Sequence, residues 1–263
     1  MSPRPTFERL MSQLQADILR MAEMVDAEMR IAIDALYAKD IQRAKEVFAR
    51  DEEVNALRYQ NERTALLLIS TQQPMARDAR AILAALFMNV ILERMGDKAK
   101  SIAKAIPHIL LRPGLKIPTE LREMAEMGQT MLRKAMEAYI QEDIEQVQEI
   151  ALLDDEVDRL YGETFFAVLT RMSKTKKADK VEAIYELLRV ARDLERFADY
   201  ATDLAERVDF MVTGQLAELN VDDWQALRRS MEEEQMRLKQ LKKKSSSSNP
   251  DSPIPPPTQD TAP

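Results

Sequence analysis

Cysteine is absent from this sequence of 263 residues, and histidine occurs once, at His108. The absence of cysteine excludes disulfide bonds, zinc–thiolate sites, iron–sulfur clusters and cysteine nucleophiles. A single histidine excludes histidine-rich metal sites and argues against a Ser-His-Asp triad. Any metal would therefore have to be held mainly by oxygen ligands.

Glycine is also rare, with five residues, and six of the twelve prolines lie within residues 250–263. With so few turn-forming residues before that segment, an all-β sandwich or barrel is excluded. Sixteen methionines and an aromatic content of 5% suit the packing of helix against helix. The composition therefore predicts an all-α fold.

No apolar run reaches the roughly 18 residues that suggest a transmembrane helix, and residues 1–5 contain no apolar signal-peptide core. We therefore expect a cytoplasmic protein. The net charge is −7, but residues 237–263 carry five basic and two acidic side chains, so the rest has a net charge of about −10. A body this acidic argues against nucleic acid as a partner.

Apolar residues recur with the 3.6-residue period of an α-helix along most of the chain. Asp40 and Asp143 are suited to cap helix N-termini, and Gly214 is suited to end a helix. The pattern breaks at residues 71–74 and 113–118. It predicts six helices, at about residues 6–38, 41–69, 75–109, 118–141, 144–173 and 177–213.

The last three predicted helices repeat the first three. When the chain is compared with itself 103 residues further on, the residue types are identical at positions 40, 41, 46, 51, 53, 54 and 57. At an offset of 102 residues they are identical at positions 92, 93, 94, 97, 99 and 103. Identities in this order indicate an internal repeat. We expect two tandem three-helix bundles, at residues 1–112 and 118–214. Residues 221–263 are predicted to form a basic helical extension and a disordered Ser/Pro tail.

Acidic side chains occupy equivalent positions in the two repeats. Residues placed symmetrically about the loop of an antiparallel helical hairpin lie level with each other. In the first unit this rule brings Asp51 level with Asp97, and Asn55 level with Glu93. In the second unit it brings Asp154 level with Asp199, and Asp158 level with Glu195. Oxygen side chains at one height on two helices suit a hard cation.

Ordinary surface ion pairs are the alternative interpretation of these acids. Basic side chains lie within four residues of these acids, or of Asp203, on the same helices, at Arg94, Lys98, Arg192, Arg196 and Arg207. Exposed pairs of this kind are common without any metal. The spacing alone therefore leaves both a metal site and a solvated set of ion pairs open.

Three segments carry a resemblance to a known family. They are Thr71-Gln72-Gln73-Pro74 with Arg77-Asp78-Ala79-Arg80, then Leu92-Glu93-Arg94-Met95-Gly96-Asp97, and Leu194-Glu195-Arg196-Phe197-Ala198-Asp199. Through them, residues 6–214 resemble the PhoU family, the accessory regulators of phosphate-specific transport, in two tandem repeats. The family's acidic motif, an acid followed four residues later by Asp, is similar to Glu93/Asp97, Asp154/Asp158 and Glu195/Asp199.

The resemblance implies a regulatory role without catalysis. It implies a cytoplasmic adaptor that restrains phosphate uptake and phosphate-starvation signalling. Its partners would be the ATPase of the phosphate ABC transporter and a phosphate-responsive sensor histidine kinase, which would hold it at the membrane periphery. It also implies a surface-bound cation such as iron, zinc, manganese or magnesium, held more weakly by the first unit because Asn55 replaces an acid there.

Three further possibilities stay open from the sequence. One is a metal-dependent phosphohydrolase, since helical bundles can hold carboxylate metal centres. Another is a helical scaffold unrelated to phosphate. The third concerns assembly, because the sequence leaves open whether the chain forms a homodimer.

Overall fold

The computed structural model of the protein describes residues 4–112 and 114–215. Within these residues the chain forms six α-helices and no strand, which confirms the all-α fold. Two helices begin about two residues later than predicted. The helices, in chain order, are α1 (Pro5–Ala38), α2 (Ile41–Gln72), α3 (Arg77–Leu110), α4 (Glu120–Gln141), α5 (Glu145–Ser173) and α6 (Ala178–Thr213).

The ends of three helices use the signals found in the sequence. The Asp40 carboxylate caps α2 by accepting from the backbone N–H groups of residues 42 and 43, at 2.8 and 3.1 Å. The Asp143 carboxylate accepts from the backbone N–H of Glu145, at 2.9 Å, although the N-cap position of α5 is Ile144, one residue later than predicted. Gly214 ends α6 with φ at 77°, in the left-handed region that suits glycine, and its N–H donates to the Phe210 carbonyl at 2.9 Å.

The helices pack in two sets of three. Helices α1, α2 and α3 contact one another, and so do α4, α5 and α6; the sets meet along α3 with α6 and along α1 with α4. The predicted boundaries at 112 and 118 stay a prediction, and the predicted extension over 221–263 lies outside the described residues. Across the described ranges, no helix combines the length and the apolar character needed to cross a membrane.

The apolar stripe of α1 forms much of the first core, as its period predicts. Leu14, Ile18, Met21 and Val25 are all at most 1% exposed. The apolar period of α3 also predicts an inward position for Leu83, and this prediction is wrong, because the side chain is 42% exposed. Helix α3 is apolar around most of its circumference, and other faces of it pack against α1, α2 and α6.

Two glycines in helices offer a matched test of this packing. A Cβ at Gly128 of α4 would lie 2.9 Å from Cδ1 of the buried Phe197 of α6, whereas a Cβ at Gly162 of α5 would meet no atom within 4 Å. We expect Gly128→Ala to lower the free energy of unfolding by about 1 kcal/mol, because overpacking costs about 1–3 kcal/mol and the gain in helix propensity offsets about 1 kcal/mol of that cost. Gly162→Ala should raise it by about 1 kcal/mol, through helix propensity.

Urea denaturation of the two variants beside the wild type measures both effects. Equal stabilisation by both substitutions would contradict the close packing of α4 against α6 at Gly128.

Candidate functional site

Three carboxylates meet on the surface formed by α5 and α6. Asp158 of α5 and Glu195 and Asp199 of α6 each offer one oxygen atom, and these three atoms lie within 4.8 Å of one another. Glu195 and Asp199 share one helix face because they are four residues apart. The hairpin then brings Asp158 to the same height. The level arrangement predicted from the sequence is therefore confirmed for these three side chains.

Glu195 is the least solvated member of this trio. It is half-buried, and its Oε2 atom is buried and has no hydrogen-bond partner. Burial raises the pKa of Glu195, and the neighbouring charges of Asp199 and Asp158 raise it further. An orphaned carboxylate oxygen beside two more carboxylates is a donor set that fits a hard cation, which would relieve the repulsion among them.

Two further side chains, Asp154 and Arg196, lie next to members of this trio along their helices. Asp154, 6% exposed, lies one turn before Asp158 on α5 and is not among the three side chains whose oxygens meet. On the exposed side, Nη1 of Arg196 lies 3.2 Å from Oδ2 of Asp199. An ion pair of the kind that the sequence left as an alternative is therefore present at Asp199.

The first unit holds its equivalent acids differently. Asp51 of α2 is 2% exposed, and its Oδ2 atom accepts a hydrogen bond from the Lys100 ammonium of α3. The amide Nδ2 of Asn55 donates to the same oxygen at 3.2 Å. The hydrogen bond to Asp51 raises the pKa of Lys100, so this ammonium stays charged. A basic side chain therefore already neutralises the buried acid of this unit.

Glu93 of α3 also has a basic partner in the first unit. Its Oε1 lies 3.6 Å from Nη1 of Arg58 on α2. Burial and then the charge of Asp97 raise the pKa of Glu93, while Arg58 lowers it in part. Asp97 itself is exposed. Over residues 4–112 and 114–215, the second unit alone brings three candidate ligands within 4.8 Å of one another.

Sequence reasoning missed Glu28 of α1, a buried acid beside the first unit's site. It is 0% exposed, and neither of its carboxyl oxygens has a hydrogen-bond partner. Gly96 of α3 makes room for it, since a Cβ there would lie 3.1 Å from Oε2 of Glu28. Burial, then the charge of Asp51, raises the pKa of Glu28 to about 8. The signal in the sequence is an acid at an inward position of the apolar period of α1, between the buried Val25 and Met29.

The repeated three-helix pattern, with equivalent acids on the second and third helix of each repeat, defines a two-repeat helical-bundle protein. The PhoU domain family matches this chain twice, over residues 18–106 and 121–208. The chain therefore belongs to the PhoU family, as its motifs predicted.

Relatives match over most of their own length. A "Phosphate-specific transport system accessory protein PhoU homolog" of Zymomonas mobilis is 33% identical over 208 residues, which cover 79% of this chain and 87% of the relative. A protein of the same name from Clostridium acetobutylicum is 30% identical over 218 residues, covering 82% of this chain and 99% of the relative.

Solved structures of PhoU proteins share the fold. The phosphate transport system regulatory protein PhoU from Streptococcus pneumoniae has a TM-score of 0.74 and 25% identity, over 80% of this chain and 99% of that chain. PhoU from Pseudomonas aeruginosa has a TM-score of 0.75 and 25% identity, over 80% of this chain and all of that chain.

Proposed function

We propose that this protein is a cytoplasmic adaptor that negatively regulates phosphate uptake and the phosphate-starvation response, without catalysis of its own. The observation that carries the proposal is the double PhoU-domain match over residues 18–106 and 121–208. The relatives and structural neighbours are named as accessory or regulatory proteins of phosphate transport. A regulator of the same transport system is the role that these matches support.

The proposed partners are the ATPase of the phosphate ABC transporter and a phosphate-responsive sensor histidine kinase. Exposed apolar side chains at repeat-equivalent positions support such docking. Leu66 and Leu169 are 66% and 40% exposed, and Leu83 and Tyr185 are 42% and 50% exposed. In each hairpin the two lie level with each other, about eight residues from the middle of the loop. Exposed apolar side chains that recur at one height in both units are candidates for protein–protein contact.

A metal-dependent phosphohydrolase is the competing proposal, and two features disfavour it. His108, the only histidine, pairs with Glu182, with Nδ1 3.1 Å from Oε1. The carboxylate trio includes the exposed Asp158, and an open surface site lacks the enclosure that positions a substrate and the attacking water. Release of phosphate from p-nitrophenyl phosphate by metal-loaded protein would favour the enzyme instead.

We further propose that the second unit binds a metal cation through Asp158, Glu195 and Asp199, with the buried Asp154 one turn behind. In the first unit, Asp51, Glu93 and Asp97 would bind a cation more weakly. Oxygen-only ligands suit iron, manganese, zinc or magnesium. Such an ion would neutralise the acidic face that α5 and α6 share and would hold the two helices together.

Deleting this protein tests the regulatory role in the cell. In phosphate-rich medium we expect phosphate uptake or the expression of phosphate-starvation genes to rise several-fold, because the restraint on the transporter is lost. Uptake of labelled phosphate and transcript levels measure the effect, and the gene restored on a plasmid is the control. Unchanged uptake and expression in a strain with no second PhoU protein would contradict the proposal.

A further inference from the structure

The acidic sites of the two units differ at three equivalent positions. The repeat aligns Lys100 of α3 with Thr202 of α6, Asn55 of α2 with Asp158 of α5, and Glu28 of α1 with Met131 of α4. The left-handed C-caps of α1 and α4, at residues 39 and 142, are also 103 residues apart, which supports the last of these alignments. At these positions the first unit has a lysine, an amide and an acid, whereas the second unit has a threonine, an acid and a methionine.

In the first unit, the positive charge at the site is built into the chain. The Lys100 ammonium forms an ion pair with Asp51, whose side chain is 3% exposed, and it interacts electrostatically with Asp97 and Glu28. Asn55 directs an N–H donor at Oδ2 of Asp51. A metal ion entering here would meet a like charge close by and an N–H group where a ligand oxygen would be needed.

In the second unit, the equivalent positions leave room for an added charge. Thr202 is neutral, and its buried Oγ1 has no hydrogen-bond partner. Asp158 supplies a carboxylate oxygen within 4.8 Å of those of Glu195 and Asp199. Met131 is fully buried and carries no charge. The second site therefore has the carboxylates but no lysine at the position that Lys100 takes in the first.

We infer that Lys100 is the first unit's own cation, and that the weaker binding proposed above for that unit falls so low that only the second unit retains a metal ion. The inference rests on the metal site proposed above for Asp158, Glu195 and Asp199. Lys100 and Asn55 are then the residues that decide which of two related acidic sites accepts an ion. Replacing them with their second-unit equivalents should open the first site.

Counting bound Mn²⁺ tests the inference. The full chain is dialysed against Mn²⁺, freed of unbound ion by gel filtration and analysed for metal per chain. We expect one ion in the wild type and none in Glu195→Gln/Asp199→Asn. Asn55→Asp/Lys100→Thr should bind two, and the four substitutions combined should bind one. Lys104→Thr, which removes an exposed lysine one turn away on α3, should bind one as in the wild type.

A second variant covers the case in which loss of Lys100 alone unfolds the chain. Glu28→Met/Asn55→Asp/Lys100→Thr removes the buried acid together with its countercharge and completes the exchange; circular dichroism confirms that it folds. Two ions in the wild type, or one in this folded triple variant, would overturn the inference. If the wild type binds none, the second-unit metal site fails. The triple variant would then support the role of Lys100 as the first unit's cation if it binds one ion, and overturn that role if it binds none.

Discussion

Mn²⁺ at about 100 times its dissociation constant is expected to stabilise the wild-type protein by about 2.7 kcal/mol, because the ion binds only the folded chain. For a chain of this size, that corresponds to a rise in Tm of about 5–10 °C. Glu195→Gln/Asp199→Asn should abolish the rise, since it removes two of the three carboxylates that meet. Thermal melts against Mn²⁺, Fe³⁺, Zn²⁺ and Mg²⁺ measure it.

The same variant separates a metal site from surface ion pairs. Without metal it should be as stable as the wild type or more so, because the substitutions remove the two causes that raise the pKa of Glu195, the burial of its charge and the repulsion from Asp199 and Asp158. The matched control is Glu156→Gln/Glu163→Gln, which removes two exposed acids paired with Arg159 and should leave the metal response unchanged. If no cation raises the Tm of the wild type, the three acids are a solvated face.

Glu28→Met is expected to remove a large part of the stability that the protein loses as the pH rises from about 4.5 to about 8. Burial and Asp51 raise the pKa of Glu28 from 4.5 to about 8, with Glu53 adding to the effect and Arg50 and Lys100 opposing it. The folded chain therefore binds this proton more tightly than the unfolded chain does. The wild type should lose stability as the pH rises from about 4.5 to about 8.

The size of this effect follows from the shift in pKa. Between pH 5 and pH 9 the wild type should lose on the order of 3–5 kcal/mol that Glu28→Met does not lose. Urea denaturation across this pH range measures the difference. Glu23→Met, which replaces an exposed acid on the same helix, should follow the wild type. Parallel curves for wild type and Glu28→Met would contradict the buried, unpartnered state of Glu28.

The sequence predicted the helices because their signals are local. The 3.6-residue period, the Asp40 cap and the Gly214 ending each depend on a few neighbouring residues. The meeting of Asp158 with Glu195 could also be predicted, because helices have a fixed rise per residue and fold symmetrically about a short loop.

The pairing of side chains between helices could not be predicted in this way. Whether Lys100 reaches Asp51, or Arg58 reaches Glu93, depends on how each helix is rotated about its axis. That rotation is set by packing over the whole body. The same cause explains the exposure of Leu83. Its apolar character suggested a core position, but the rotation of α3 turns other residues toward the core.

The adaptor role is tested most directly by co-purification with the transporter ATPase. Tagged full-length protein is isolated from cells grown with abundant phosphate and from phosphate-starved cells, and the ATPase is quantified in each eluate. The control is Leu66→Glu/Leu169→Glu, which places charge on the exposed apolar positions of both repeats. We expect the wild type to retain the ATPase in abundant phosphate and the control variant to lose it. Absence of the ATPase from the wild-type eluate in both conditions would contradict the proposed function.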